Sequence, residues 1–205
     1  MGDDVLDKII QSFNGFQEFK TVYDIGAHEG VFTKKYFAKL PRASFYCFEA
    51  NKDRPSTIRN HEWFRVVLSN EDDKIVDFYE KKTGYNTGDS YYKQKTAYDN
   101  IKPTRLSTKT LNTMIKENNI PLPDFIKIDT QGSELDILSA AGDALKSCKL
   151  ILCEIPAKGV TYNFGAPSHE EYMNFFEMIG FKNHRIFKDL YTKKELTQHD
   201  VVYYK

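Results

Sequence analysis

The chain keeps returning to short runs of β-branched and aromatic residues, and segments of helical spacing separate them. The runs are TVYDIGA (21–27), SFYCFEA (44–50), a weaker one over 64–69, DFIKIDT (124–130) and KLILCEI (149–155). A strand with one wet face alternates apolar and polar residues; near-continuous runs such as these suit strands covered on both faces. Val31, Phe32, Lys35 and Phe37 follow the first run, Leu111, Met114 and Ile115 precede the fourth, and Leu135, Leu138, Ala141 and Leu145 come after it, all at helical spacing. The pattern predicts an α/β fold, a mostly parallel sheet with helices on both faces. Ser168 and Glu171 then form an S-x-x-E capping box, Tyr172, Phe175, Phe176 and Ile179 make one apolar stripe, and Gly180 ends that helix. Two weak strand patterns, 181–187 and 201–204, fit an antiparallel pair at one end of the sheet, while 74–95 begins strand-like and becomes a polar loop.

Composition narrows the function classes. The 205 residues contain no repeat and no linker, so one domain over 1–205 is expected. Lys plus Arg equals Asp plus Glu at 29 each, which offers no electrostatic argument for a nucleic-acid or membrane partner. Cys47, Cys148 and Cys153 are odd in number and lack paired spacing, as expected of buried thiols in a reducing compartment. No C-x-x-C or H-x-x-x-H cluster suggests a zinc site. MGDDVLDKII lacks the basic-then-apolar pattern of a signal peptide, and no apolar run is long enough to span a bilayer. A soluble, cytoplasmic protein is the expectation.

The strongest chemical signal is DIGAHEG, Asp24 to Gly30, placed between a strand pattern and a helix pattern. Gly26 permits a tight turn and close approach of backbone to a ligand, and Gly30 lets the next helix pack on the strand. The acidic residues Asp24 and Glu29 would repel a phosphate and suit a cationic amino group. Glu49 ends the second run, about 25 residues beyond Asp24, where a carboxylate can accept hydrogen bonds from both hydroxyls of an adenosine ribose.

With these stretches in view, the chain resembles the FkbM family of S-adenosylmethionine-dependent methyltransferases. The resemblance rests on VYDIGAHEG, FYCFEAN, PDFIKIDTQGSELDILSAAGDAL and LILCEI, with a weaker match at STKTLNTMI, and covers roughly 20–190. It implies a Rossmann-like class I methyltransferase fold with a seven-stranded, mostly parallel sheet, helices on both faces and an antiparallel last strand. It also implies S-adenosyl-L-methionine as cofactor and, although paired carboxylates could hold a divalent ion, no metal. Carried over by residue, Asp24, Gly26, Ala27, His28 and Gly30 form the cofactor turn, Glu49 holds the ribose beside Ala50, Leu68 and Ser69 lie by the adenine, and Asp129 and Gln131 line the methyl-transfer site. Two departures stand out: His28 replaces a more usual Asn, and Asn112 replaces the aspartate of a T-L-D stretch.

Methyl transfer from a sulfonium is an in-line displacement, so alignment does much of the work and a general base can take the acceptor proton. The candidate bases are carboxylates at the ends of the central strands: Asp129 first, Glu154 second, with Glu134 assigned to its helix terminus. The acceptor is expected to be a hydroxyl on a sugar, a glycan or another small molecule. Its selection is expected to fall to two loops, 84–95 and 158–169, the latter carrying Tyr162, Asn163 and His169. One rival is an NAD(P)-dependent short-chain oxidoreductase, suggested by the Y-x-x-x-K of Tyr91 and Lys95. Another is a non-catalytic S-adenosylmethionine-binding module.

Overall fold

The structure is a computed structural model that describes residues 2–13, 18–54, 61–80, 88–94, 101–161, 163–192 and 194–205. Tyr162, Lys95 and the first part of the 84–95 loop lie outside the described residues.

The five apolar runs become β1 (Thr21–Ile25), β2 (Ser44–Glu49), β3 (Glu62–Arg65) with β4 (Val67–Ser69), β7 (Phe125–Ile128) and β8 (Leu150–Pro156). The chain closes with β9 (Asn183–Thr192) and β10 (Glu195–Tyr204). Seven strands form one sheet in the order β3-β2-β1-β7-β8-β10-β9. β1, β2, β3, β7 and β8 pair in parallel, and β10 runs antiparallel to both β8 and β9. The weak third run divides after Arg65. β3 pairs with β2, whereas β4 leaves for a second sheet, β4-β6-β5, with β5 (Ile75–Phe78) and β6 (Thr104–Thr110). An apolar run carries no mark of which partner each half will pair with, so the division is invisible in the sequence.

Alternation along the strands fills two cores. Val22, Phe45, Phe125, Leu150 and Val202 point to one face, under α1 (Gly2–Ser12) and α2 (Val31–Phe37). Tyr23, Ile25, Phe48, Ile126, Ile128 and Cys153 point to the other, under α3 (Leu111–Glu117), α4 (Glu134–Ser139), α5 (Asp143–Ser147) and α6 (His169–Met178). The α6 stripe works as read: Tyr172 and Phe176 are buried, and Phe176 stacks on Tyr203 at 3.7 Å between ring centroids. Its capping box is formed, with Ser168 N–H donating to Glu171 Oε2 at 2.7 Å. The first helix was not foreseen, although Leu6, Ile9 and Ile10 bury one of its faces. All three cysteines are free and buried. Among the described residues no helix is long and apolar enough to cross a membrane.

Candidate active site

A cavity of about 340 Å³ opens where β1, β2 and β7 end, within the size range of cofactor sites. Ile25, Phe48, Val67, Leu68, Phe78 and Ile137 make one part of its wall apolar; Gly26, Ala27, His28, Glu49, Lys127 and Asp129 make another part polar.

The polar part is built by the turn leaving β1. Gly26 and Ala27 donate their N–H groups to Phe48 O at 2.9 and 3.1 Å, which ties the turn to β2. Gly26 has φ +71°, and a side-chain carbon there would lie 1.9 Å from Asp129 O, so only glycine fits. His28 has φ +53°, a left-handed conformation in which Asn, Asp and His are enriched, and this explains why histidine can stand where asparagine is more usual. Its backbone N–H donates to Glu49 Oε2 at 2.7 Å, while Asn51 N–H donates to Oε1 at 2.8 Å. Burial pushes the Glu49 carboxyl up, with the two N–H donors pulling against it. Each carboxylate oxygen accepts more than one hydrogen bond, so Glu49 retains acceptor capacity toward the cavity it lines.

Seven of the eleven residues expected around the cofactor line this cavity: Gly26, Ala27, His28, Glu49, Ala50, Leu68 and Asp129. Four do not. Asp24 is fully buried; it accepts from Thr33 Oγ1 at 2.7 Å and pairs with Lys127 Nζ at 3.2 Å. Gly30, at φ +72°, serves as the residue before α2. Ser69 turns its Oγ toward Tyr91 Oη at 3.2 Å. Gln131, buried at φ +57°, donates its Nε2 to Asp129 Oδ1 at 2.9 Å and to Glu154 Oε1 at 2.6 Å. Asn112 packs against Gly142.

Gln131 thus stands between the two candidate bases. Glu154 borders a second, smaller cavity with Glu134, Asn163, Tyr172 and Gln198, and Gln198 also donates to it. Burial, then the nearby Asp129, Asp200 and Glu134 carboxylates, raise the Glu154 carboxyl well above the usual range, so its neutral form is favoured. Glu134 accepts from the N–H groups of Thr130 at 2.7 Å and Gly132 at 3.0 Å and from Tyr172 Oη at 2.5 Å, which is a turn-holding arrangement.

The two loops expected to select the acceptor meet. Gln94 bridges Asn163, Phe164 N–H donates to Lys93 O at 2.9 Å, and Asn163 Nδ2 donates to Gln131 O. Tyr91 borders the first cavity outside any helix, and its hydroxyl, with that of Tyr92, donates to Asp136 Oδ2 at 2.8 and 2.9 Å. That is not the helical Y-x-x-x-K an oxidoreductase needs. His169 Nδ1 lies 3.0 Å from Pro156 O.

Sequence reasoning passed over Lys127. It stands beside Asp24 in the β1–β7 register, on the α2 face of the sheet. Burial acts to lower its pKa, but Asp24 foremost, then Asp129 and Glu49, outweigh that and hold the ammonium above the ordinary lysine range. The available signal was one charge in the middle of an apolar strand. Among the described residues no cluster of His, Cys, Asp and Glu is arranged to hold a metal.

The residues present fit a nucleoside with a charged tail: apolar wall for a base, Glu49 for ribose hydroxyls, and a tight turn for a polar end. The family described as the methyltransferase FkbM domain matches residues 24–183. No curated protein matches. Among solved structures, the N-terminal domain of EvdMO1 with SAH bound is similar over 100% of this chain and 81% of that one, at 11% identity and a TM-score of 0.53. A SAM-dependent methyltransferase from Archaeoglobus fulgidus is similar over 100% of this chain and 95% of that one, at 10% identity and a TM-score of 0.51. At these identities the likeness is one of fold.

Proposed function

This chain belongs to the FkbM methyltransferase family, and from that premise we propose that it methylates a hydroxyl of a sugar, glycan or other small molecule, using S-adenosylmethionine. The observation that carries the reading is Glu49, a buried carboxylate fixed by two backbone N–H groups on the wall of a cavity that also holds the Gly26 turn and Asp129.

When bound, S-adenosylmethionine supplies a methyl carbon already activated for in-line attack by its sulfonium. Glu49 would hold the ribose, Leu68 and its apolar neighbours the adenine, and the backbone of Gly26, Ala27 and His28 the amino-acid end. Asp129, 37% exposed, would take the acceptor proton, with one of its oxygens held by Gln131. Glu154 stands behind Gln131 as a hydrogen-bonding partner whose neutral form burial favours. The second cavity has about 20 Å³ of room, enough for one water-sized group, and is edged by the polar side chains of Glu154, Asn163 and Gln198. Three free, buried thiols support a reducing, cytoplasmic setting.

The test is incubation with methyl-labelled S-adenosylmethionine and a panel of sugars and glycosides, with S-adenosylhomocysteine and labelled product read by mass spectrometry. Label in an ether linkage is expected. Retention of the cofactor without turnover on any acceptor would mark a binding module, and saturable NADH uptake would revive the oxidoreductase.

A further inference from the structure

The buried lysine of the central strand has no part in the chemistry above. β7 is covered on both faces, yet Lys127 carries an ammonium there, and its side chain is only 12% exposed. Burying a charge in such a strand is costly unless every donor is matched. Here each is. Nζ donates to Gly26 O at 2.7 Å and to Ile25 O at 3.4 Å, and it pairs with Asp24 Oδ1 at 3.2 Å. Asp129 Oδ2 stands 4.0 Å away, beyond direct hydrogen bonding.

The shortest of these contacts is to a carbonyl in the turn itself. Gly26 is the residue whose left-handed backbone turns the chain out of β1, and a carbonyl at such a turn has no ladder partner fixing its direction. Lys127 gives it one, from a strand whose far end carries Asp129. Asp24, the acid expected in the ligand shell, serves instead as counter-ion to Lys127, and Thr33 holds its other oxygen. Register makes this possible, because Asp24 and Lys127 are direct neighbours across β1 and β7.

We propose that Lys127 is a positioning residue, whose bond to the Gly26 carbonyl fixes the Gly26–Ala27–His28 backbone at the height and orientation that cofactor binding requires. The proposal rests on the reading of the large cavity as the S-adenosylmethionine site. It differs from a purely structural ion pair in one respect: replacing both charges together removes the electrostatic problem but leaves the turn unclamped.

The test is the double variant Lys127→Met with Asp24→Asn, compared with wild type by thermal melting and by calorimetric titration with S-adenosylhomocysteine. A folded double variant whose Kd rises at least tenfold is the expected result, in line with the loss of a charged hydrogen bond. A folded double variant that binds within twofold of wild type overturns the proposal. Wild-type protein that fails to bind S-adenosylhomocysteine instead overturns the cofactor reading on which it rests. Should the double variant not fold, a crystal structure of wild type with S-adenosylhomocysteine decides. Nζ still on Gly26 O supports the clamp, and Nζ drawn away onto the ligand's carboxylate overturns it.

Discussion

The Cα of Gly26 abuts the carbonyl oxygen of Asp129, so closely that a side-chain carbon would sit 1.9 Å from it. The turn proposed to carry the cofactor and the strand end proposed to carry the base are therefore in direct contact, and their separation is set by the absence of one methyl group.

Gly26→Ala is expected to force these elements apart and to strain a left-handed backbone. Overpacking typically costs about 1–3 kcal/mol, and the strained φ adds to it. A lowered melting temperature together with loss of S-adenosylhomocysteine binding in calorimetry is the predicted pair of results. A variant that melts and binds as wild type would show that the close contact has no consequence.

Asp129 and Glu154 share the Gln131 amide but are assigned different tasks, and matched amide substitutions separate them. Asp129→Asn should lower turnover by ~10²–10⁴-fold with S-adenosylhomocysteine affinity little changed. Glu154→Gln imitates the neutral carboxyl and should retain turnover within about tenfold of wild type. If the amide at 154 is the more damaging of the two, the base has been placed on the wrong residue.

Asp200 links this region to pH. Burial foremost, with Asp129 beside it, pushes its carboxyl up to about 6, against the pull of Lys188 and Lys127. The folded chain then holds a proton that the unfolded chain releases near the ordinary aspartate value of about 3.9. The stability this gives is fully present below about pH 4 and is lost as pH rises toward 6. Asp200→Asn should therefore gain on wild type across that window by about 1–2 kcal/mol, read as a melting difference that grows from pH 4 to pH 7. A difference independent of pH would contradict the assignment.

The sheet was legible because its strands are buried on both faces: the runs containing Val22, Phe45, Phe125 and Leu150 could hardly be anything else. Glu49 and the Gly26 turn were legible because a strand end and a glycine mark positions in the chain. What the sequence withheld depends on partners distant along it. Asp24 looked like a ligand contact because its ion pair with Lys127 exists only in the β1–β7 register. Ser69 was expected beside the adenine, and its contact with Tyr91 follows from β4 leaving the main sheet, which an apolar run does not announce. Gln131 was expected at the methyl-transfer site, but that its left-handed backbone sends its amide between Asp129 and Glu154 is a relation no spacing shows.

The most direct test of the account is the affinity of S-adenosylhomocysteine for wild type and for Glu49→Ala, measured by calorimetry. Glu49 is proposed to hold two ribose hydroxyls while anchoring the His28 N–H at 2.7 Å. Two bonds to a charged acceptor at about 1.5–3 kcal/mol each correspond to a loss of at least ~100-fold. Saturable binding by wild type with that loss in the variant is the predicted result. No uptake by wild type, or equal affinity in both proteins, would contradict it.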